Sequence, residues 1–94
     1  MIAVDTNVLV RLLTEDDPAQ TRRARVLFET EQVYVAKTVL LETSWVLGET
    51  YGFDRDRVTD ALLSLLGLPQ VTIESEAEVA RAIEASRRGL EFAD

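Results

Sequence analysis

Two acidic residues interrupt apolar segments of the sequence, and their side-chain oxygens are its clearest candidates for chemistry. Asp5 lies between the apolar runs 2–4 and 8–10, and Glu42 is the one charged residue within VLLETSWVL (39–47). A charge beside a packed core must be paired, hydrogen-bonded or bound to a cation. Oxygen-only ligands suit hard divalent cations, so a cation site is one role that these positions suggest.

Composition excludes several other kinds of chemistry. The chain of 94 residues has no cysteine and no histidine, which excludes disulfides, thiolate zinc sites, Cys or Ser/His nucleophile systems and imidazole general bases. The formal net charge of -7 argues against broad electrostatic binding of bare nucleic acid. It does not exclude a nucleic acid whose phosphates are bridged to an acid by a divalent cation.

The length and hydropathy of the chain predict how many domains it has and where in the cell it is found. A hydrophobic content of 47% and a charged content of 29% fit a single soluble globular domain over residues 1–94. No apolar run approaches the roughly 20 residues that span a bilayer. The first residues lack the basic region and cleavage site of a secretory signal, so we expect a cytoplasmic protein.

The elements that must position the two acids follow from apolar periodicity and helix caps. The clearest helix start is Asp17, Pro18 and Gln20, a capping-box pattern with proline at the first helical position. The order β-αα-β-αα-β-α predicts an α/β chain whose parallel strands are joined by right-handed crossovers. The predicted strands are 1–4, 33–36 and 71–73, and the predicted helices are 7–15, 18–31, 38–52, 54–67 and 75–89.

Both acids follow predicted strands, and each also has a structural interpretation. Ligands of parallel sheets bind outside the carboxyl ends of the strands, so Asp5 after strand one and Glu42 beside the end of strand two can converge at one edge. Alternatively, Asp5 caps the following helix, although Thr6 or Asn7 could do so and leave Asp5 free. Glu42 would then be a partly exposed residue that the helix dipole favours.

Three segments carry a resemblance to a known family: VDTNVLVRLL (4–13) with the second strand, TVLLETSWVLGETYG (38–52) and GLEFAD (89–94). Over the whole chain, the sequence resembles PIN-domain ribonucleases of the VapC toxin type. The resemblance implies a three-layer α/β/α fold with a parallel sheet. It further implies that Asp5, Glu42 and Asp94 bind Mg2+ or Mn2+ and cleave RNA, with Asn7 helping to place water, metal or the first acid.

The resemblance also implies partners and a longer fold. Its members act on RNA, bind a small antitoxin protein and form homodimers. The family continues beyond the FAD segment into a further helix and at least one strand, which lies beside strand one and usually supplies a fourth acid. We therefore expect the C-terminal part of the fold to be missing from this chain, and its nuclease activity to be weak or absent.

Two other functions remain open. One is a non-catalytic antitoxin-binding module, in which the acids form an anionic pocket for an arginine of the partner. The other is a Mg2+-dependent phosphatase-like domain, which fits less well because a dehalogenase-type site would need an acid where the chain has Asn7.

The remaining polar and aromatic residues have simpler interpretations. We interpret the basic cluster on helix two as a solvated helix face, with contact to RNA phosphates as the alternative. Lys37 is the sole lysine. We interpret the larger aromatic residues as core or interface residues. The basic cluster consists of Arg22, Arg23 and Arg25. The aromatic residues are Trp45, Tyr51 and Phe92.

Overall fold

The structure is a computed structural model that describes residues 1–87. The mixed α/β class and the element order β-αα-β-αα-β-α are confirmed within this range. Predictions that fall on residues 88–94, Asp94 among them, lie outside the described residues. The elements are β1 (Ile2–Ala3), α1 (Thr6–Thr14), α2 (Pro18–Thr30), β2 (Val33–Val35), α3 (Lys37–Glu49), α4 (Arg55–Leu66), β3 (Val71–Ile73) and α5 (Glu76–Arg87).

The three described strands form one parallel sheet in the order β1-β2-β3. Val33 of β2 pairs with Ile2 on one side and with Val71 on the other. Within residues 1–87, β1 pairs only with β2, so it lies at an edge of this sheet. Because all three strands run in the same direction, the segments that follow them leave from the same end of the sheet.

Each described helix contributes apolar side chains to one continuous core. Helices α1, α3 and α4 supply Leu9, Leu40 and Leu65, all fully buried, and the central strand supplies Val33 and Val35. Helix α1 packs against α2 and α3, and α4 packs against α3, α5 and β3. The longest described helices have 13 residues, and none in this range is long and apolar enough to cross a membrane.

Three helices begin with an aspartate that accepts a hydrogen bond from a backbone N–H of the first turn. Asp17 accepts from Gln20 (3.2 Å) and Asp54 accepts from Arg57 (2.9 Å), as their positions predict. The spacing of Ser75 and Glu78 at the start of α5 also predicts a capping box, but it does not form among the described residues. Ser75 has φ +53° and makes no side-chain hydrogen bond there, and Glu78 binds a lysine instead.

Helix α3 ends three residues earlier than its sequence predicts. The sequence predicts a helix that reaches Gly52, but the N–H groups of Thr50 and Tyr51 both donate to the carbonyl of Val46, and the last helical residue is Glu49. Gly52 has φ +70°, a left-handed conformation that glycine adopts without steric cost. The turn therefore follows the helix end rather than forming it.

A carboxylate in the α1–α2 connection joins three parts of the chain. Tyr51, just after α3, donates from its hydroxyl to Asp16 Oδ2 (2.9 Å). Thr14 and Arg11 donate to Asp16 Oδ1 (3.1 and 3.0 Å). The hydrogen bond from Tyr51, together with those from Thr14 and Arg11 and the Arg11 charge, lowers the pKa of Asp16 below its usual 3.8.

We expect the hydrogen bonds to Asp16 to stabilise the fold only at pH values at which Asp16 is ionised. Because the folded-state pKa is lowered, the stabilisation is fully present above 3.8 and is lost as the pH falls through the folded-state value. Asp16→Asn should lower the urea midpoint at pH 7, and the difference from wild type should shrink in acid. Glu84→Gln, at an exposed carboxylate of α5, is the control; a deficit that does not change with pH would contradict this assignment.

Candidate functional site

Asp5 is the N-cap of α1. Its backbone is extended (φ -98°, ψ 177°), and its Oδ1 accepts the N–H of Val8 at 3.1 Å. The interpretation that Asp5 caps the helix is therefore confirmed, and neither Thr6 nor Asn7 takes that place: Thr6 is buried in the first turn, and Asn7 is exposed. Asp5 itself is exposed, and its Oδ2 has no hydrogen-bond partner among residues 1–87. The cap restrains the side chain while it leaves one oxygen available.

Glu42 lies on the outer side of α3, in the second turn. Leu40 and Leu47 are fully buried and fix which side of the helix faces the core. The adjacent Thr43 is also fully buried, and its hydroxyl donates to the carbonyl of Val39 (2.7 Å). Glu42 is exposed and has no hydrogen bond or ion pair within the described residues. Its carboxylate is thus available to an external cation.

The topology places Asp5 and the start of α3, the helix that carries Glu42, at the same end of the sheet. Asp5 follows β1, α3 begins after β2, the two strands are parallel neighbours, and α1 packs against α3. No group of three or more acidic side chains that could hold a metal ion occurs among residues 1–87. Asp94, the third predicted ligand, lies outside that range.

Asn7 opens a groove between α1 and α2. The groove has a volume of about 240 Å³. Its floor is apolar, and its polar rim includes Arg11 and Arg23. The Asn7 amide makes no hydrogen bond within the described residues. The groove runs along α1 from the first turn, next to Asp5, as far as Arg11.

The basic cluster on α2 divides into paired and unpaired residues. Arg25 forms an ion pair with Glu15. Arg22 and Arg23 are exposed and have no ion-pair partner in the part of the chain that the structure describes. Arg11 forms an ion pair with Asp16. Arg23 is thus the cation of this groove that remains available for an anion.

Sequence reasoning missed an acid at the end of the third strand. Glu74 directly follows β3, and its Oε1 accepts the backbone N–H of Lys37 at 2.8 Å. The Nζ of Lys37 pairs with Glu78 Oε1 at 3.1 Å. The rule that selected Asp5, an acid just after a parallel strand, also selects Glu74 and could have found it.

Trp45 is not a core residue. Its exposed fraction is 64%, so the core interpretation is wrong for this residue, and the interface interpretation stays a prediction. It borders a groove of about 350 Å³ between α3, α4 and α5, together with Phe53, Leu62 and Ile83. Tyr51 is half-buried and serves the Asp16 network, whereas Phe92 lies outside the described residues.

The element order and the acids after the strands agree with the comparison with known families. A protein-family profile described as PIN domain matches residues 2–94. The chain belongs to the PIN domain family. PIN domains are generally nucleases and typically use divalent metal ions. No curated protein and no solved structure gave a significant match to the chain.

The donor chemistry of this PIN domain fits such an ion. Asp5 and Glu42 offer carboxylate oxygens, and Asn7 offers an amide oxygen; hard divalent cations prefer these oxygen donors over nitrogen or sulfur. Neither the second oxygen of Asp5 nor the Glu42 carboxylate is consumed by a contact within residues 1–87. Capping and cation binding by Asp5 are therefore compatible.

The capping role of Asp5 can be measured apart from any cation. Asp5→Ala should lower the free energy of unfolding by about 1 kcal/mol in the presence of a chelator, because the Val8 N–H loses its acceptor. Asp5→Asn should cost only a few tenths of that, roughly, since asparagine caps helices as well as aspartate. Asp17→Ala and Asp17→Asn on α2 provide the matched pair. Equal stability of wild type and Asp5→Ala would exclude the cap.

Proposed function

We propose that this PIN domain is a Mg2+- or Mn2+-dependent endoribonuclease and the toxin of a toxin–antitoxin module. In this proposal Asp5, Glu42 and Asp94 are the metal ligands, and Asn7 is their polar neighbour. The observation that supports it is that Asp5 follows β1 and that α3, which carries Glu42, follows the neighbouring parallel strand β2, while each acid has an unpartnered carboxylate oxygen among the described residues. The resemblance of the DTN, LLETSW and FAD segments to VapC toxins supports the finer assignment.

The chain supplies positioning and charge for this reaction. A bound divalent cation would lower the pKa of a water molecule bound to it and would neutralise charge on the phosphate. Asp5 is restrained by its cap, so its available oxygen is held without a large entropic cost on binding. Glu42 is held by the packing of α3 through Leu40 and Leu47. Asn7 has both a donor and an acceptor with which to orient water or the Asp5 carboxylate.

Cation binding tests the proposal before any turnover is required. Glu42→Gln keeps the shape of the side chain but removes its charge, so we expect it to abolish Mn2+ binding measured by calorimetry. Cleavage of single-stranded RNA should fall by about 100-fold or more, the scale seen when one stabilising group is lost from an active site. Asp5→Asn should behave in the same way, although it preserves the helix cap.

Glu49→Gln is the matched control, because Glu49 is an exposed glutamate on the same helix. It should bind Mn2+ and cleave RNA as the wild type does. Equal binding by Glu42→Gln and Glu49→Gln would refute the metal-centre assignment. Cleavage by the wild type that persists in a chelator would refute the metal-dependent mechanism.

The surface around Trp45 is suited to binding another protein. The exposed Trp45 and its apolar groove form the type of amphipathic surface that is enriched at protein interfaces. We propose that the chain binds a cognate antitoxin protein and forms a homodimer.

A non-catalytic antitoxin-binding module is the second candidate function. The observation that favours it is that Asp5 and Glu42 are exposed and that neither has an ion-pair partner among residues 1–87, so both can bind an arginine of another protein. It would predict capture of a partner's arginine by Asp5 and Glu42 with no change in affinity on adding Mn2+. Calorimetry with an arginine-rich peptide, with and without Mn2+, separates the two functions.

The groove between α1 and α2 gives the RNA backbone a route from the acids. Arg23 is the arginine of this groove that has no ion-pair partner among residues 1–87. When the logarithm of the binding constant is plotted against the logarithm of the salt concentration, each phosphate of a single strand that is neutralised contributes roughly 0.7 to the slope. We expect Arg23→Gln to weaken binding of a non-cleaved RNA and to reduce that slope by about 0.7. Arg81→Gln, at another exposed arginine without an ion-pair partner in residues 1–87, should leave the slope unchanged. Equal slopes for both variants would show that RNA does not bind in this groove.

A further inference from the structure

Helix α3 lacks a capping side chain of its own. Helices α1, α2 and α4 each begin with an aspartate that accepts from the first turn. The residue at the same place before α3 is Ala36, which has no side chain able to accept a hydrogen bond. The first N–H groups of a helix have no partner within the helix, so they require one from elsewhere.

Glu74 supplies that partner from the end of β3. Its Oε1 accepts the N–H of Lys37, the first residue of α3, at 2.8 Å. Its own N–H donates to the carbonyl of Val35, the last residue of β2, at 3.0 Å. Glu74 therefore binds both ends of the β2–α3 junction, once through its backbone and once through its side chain.

The charge of Glu74 suits this position. A carboxylate at a helix N-terminus is favoured by the helix dipole, and a hydrogen bond to an ionised acceptor is stronger than a neutral one. The neighbouring pair between Lys37 Nζ and Glu78 is different, because both side chains are largely exposed and such pairs contribute little. The contact that fixes the helix start is thus the one made by Glu74.

We propose that Glu74 is a positioning residue for Glu42. Glu42 lies five residues after Lys37 on α3, about 7.5 Å along the helix axis. By completing the N-terminus of α3 and joining it to β2 and β3, Glu74 sets where the Glu42 carboxylate stands relative to the sheet edge. This role rests on the proposed nuclease function of Glu42, whereas the cap itself does not.

Four variants separate positioning from other roles. Glu74→Ala removes the cap, and Glu74→Gln keeps an oxygen that accepts the same hydrogen bond. Ala36→Ser in the Glu74→Ala background provides a local cap, because serine is among the preferred N-cap residues. Glu78→Ala removes only the exposed ion pair of Lys37 and is the matched control.

We expect Glu74→Ala to accelerate hydrogen exchange of the Lys37 amide and to lower kcat for RNA cleavage by about 10- to 100-fold, the scale of a small misplacement at a reacting centre. KM for RNA should not change, because Glu74 does not touch the substrate. Glu74→Gln should keep most of the wild-type kcat, Ala36→Ser should restore much of what Glu74→Ala loses, and Glu78→Ala should match the wild type.

Three results would overturn the proposal. Unchanged exchange of the Lys37 amide in Glu74→Ala would show that the cap does not form. Faster exchange with an unchanged kcat would show a cap that positions nothing. A kcat equally low in Glu74→Gln and Glu74→Ala, with no rescue by Ala36→Ser, would assign Glu74 a charge-dependent role such as metal ligation.

Failure of the proposed function gives a different pattern. A wild-type chain that does not bind Mn2+ would refute the metal-centre assignment and, with it, the effect of Glu74 on catalysis. The exchange of the Lys37 amide in wild type, Glu74→Ala and Glu74→Gln still decides whether the cap exists.

Discussion

Parallel pairing of three very short strands is the constraint on which the candidate site depends. The central strand is held on one side by the bond from Ile2 N–H to the Gln32 carbonyl (2.7 Å) and on the other by the bond from its Val33 N–H to the Gln70 carbonyl (2.8 Å). Few backbone bonds fix the register, so burial of Val33 and Val35 must do much of that work. A slip of one residue would expose both valines and move every acid that follows a strand.

The order of elements and several helix starts could be read from the sequence because their signals are local. Asp17 with Pro18, Asp54 before its helix, and the bounds of β3 all depend on residues within a few positions of one another. The site was harder to predict. Asp5, Thr6 and Asn7 are all competent caps, and only the packing that buries Thr6 decides among them.

Other features could not be predicted because they depend on distant segments. The exposure of Trp45 follows from which side of α3 meets the core, and an apolar segment with weak periodicity does not reveal that side. The cap from Glu74 joins two elements that the sequence separates by a helix and a strand. An alanine before a helix does indicate, however, that the cap must come from another part of the chain.

The bond between Glu74 and Lys37 also has a consequence for the order of folding. It joins residues 37 positions apart, so it forms only after the chain between them has closed into a loop. Helical turns form within about a microsecond, whereas non-local strand pairing is slower. The cap of α3 therefore forms only once β3 has docked on β2, later than the local turns of the helix itself.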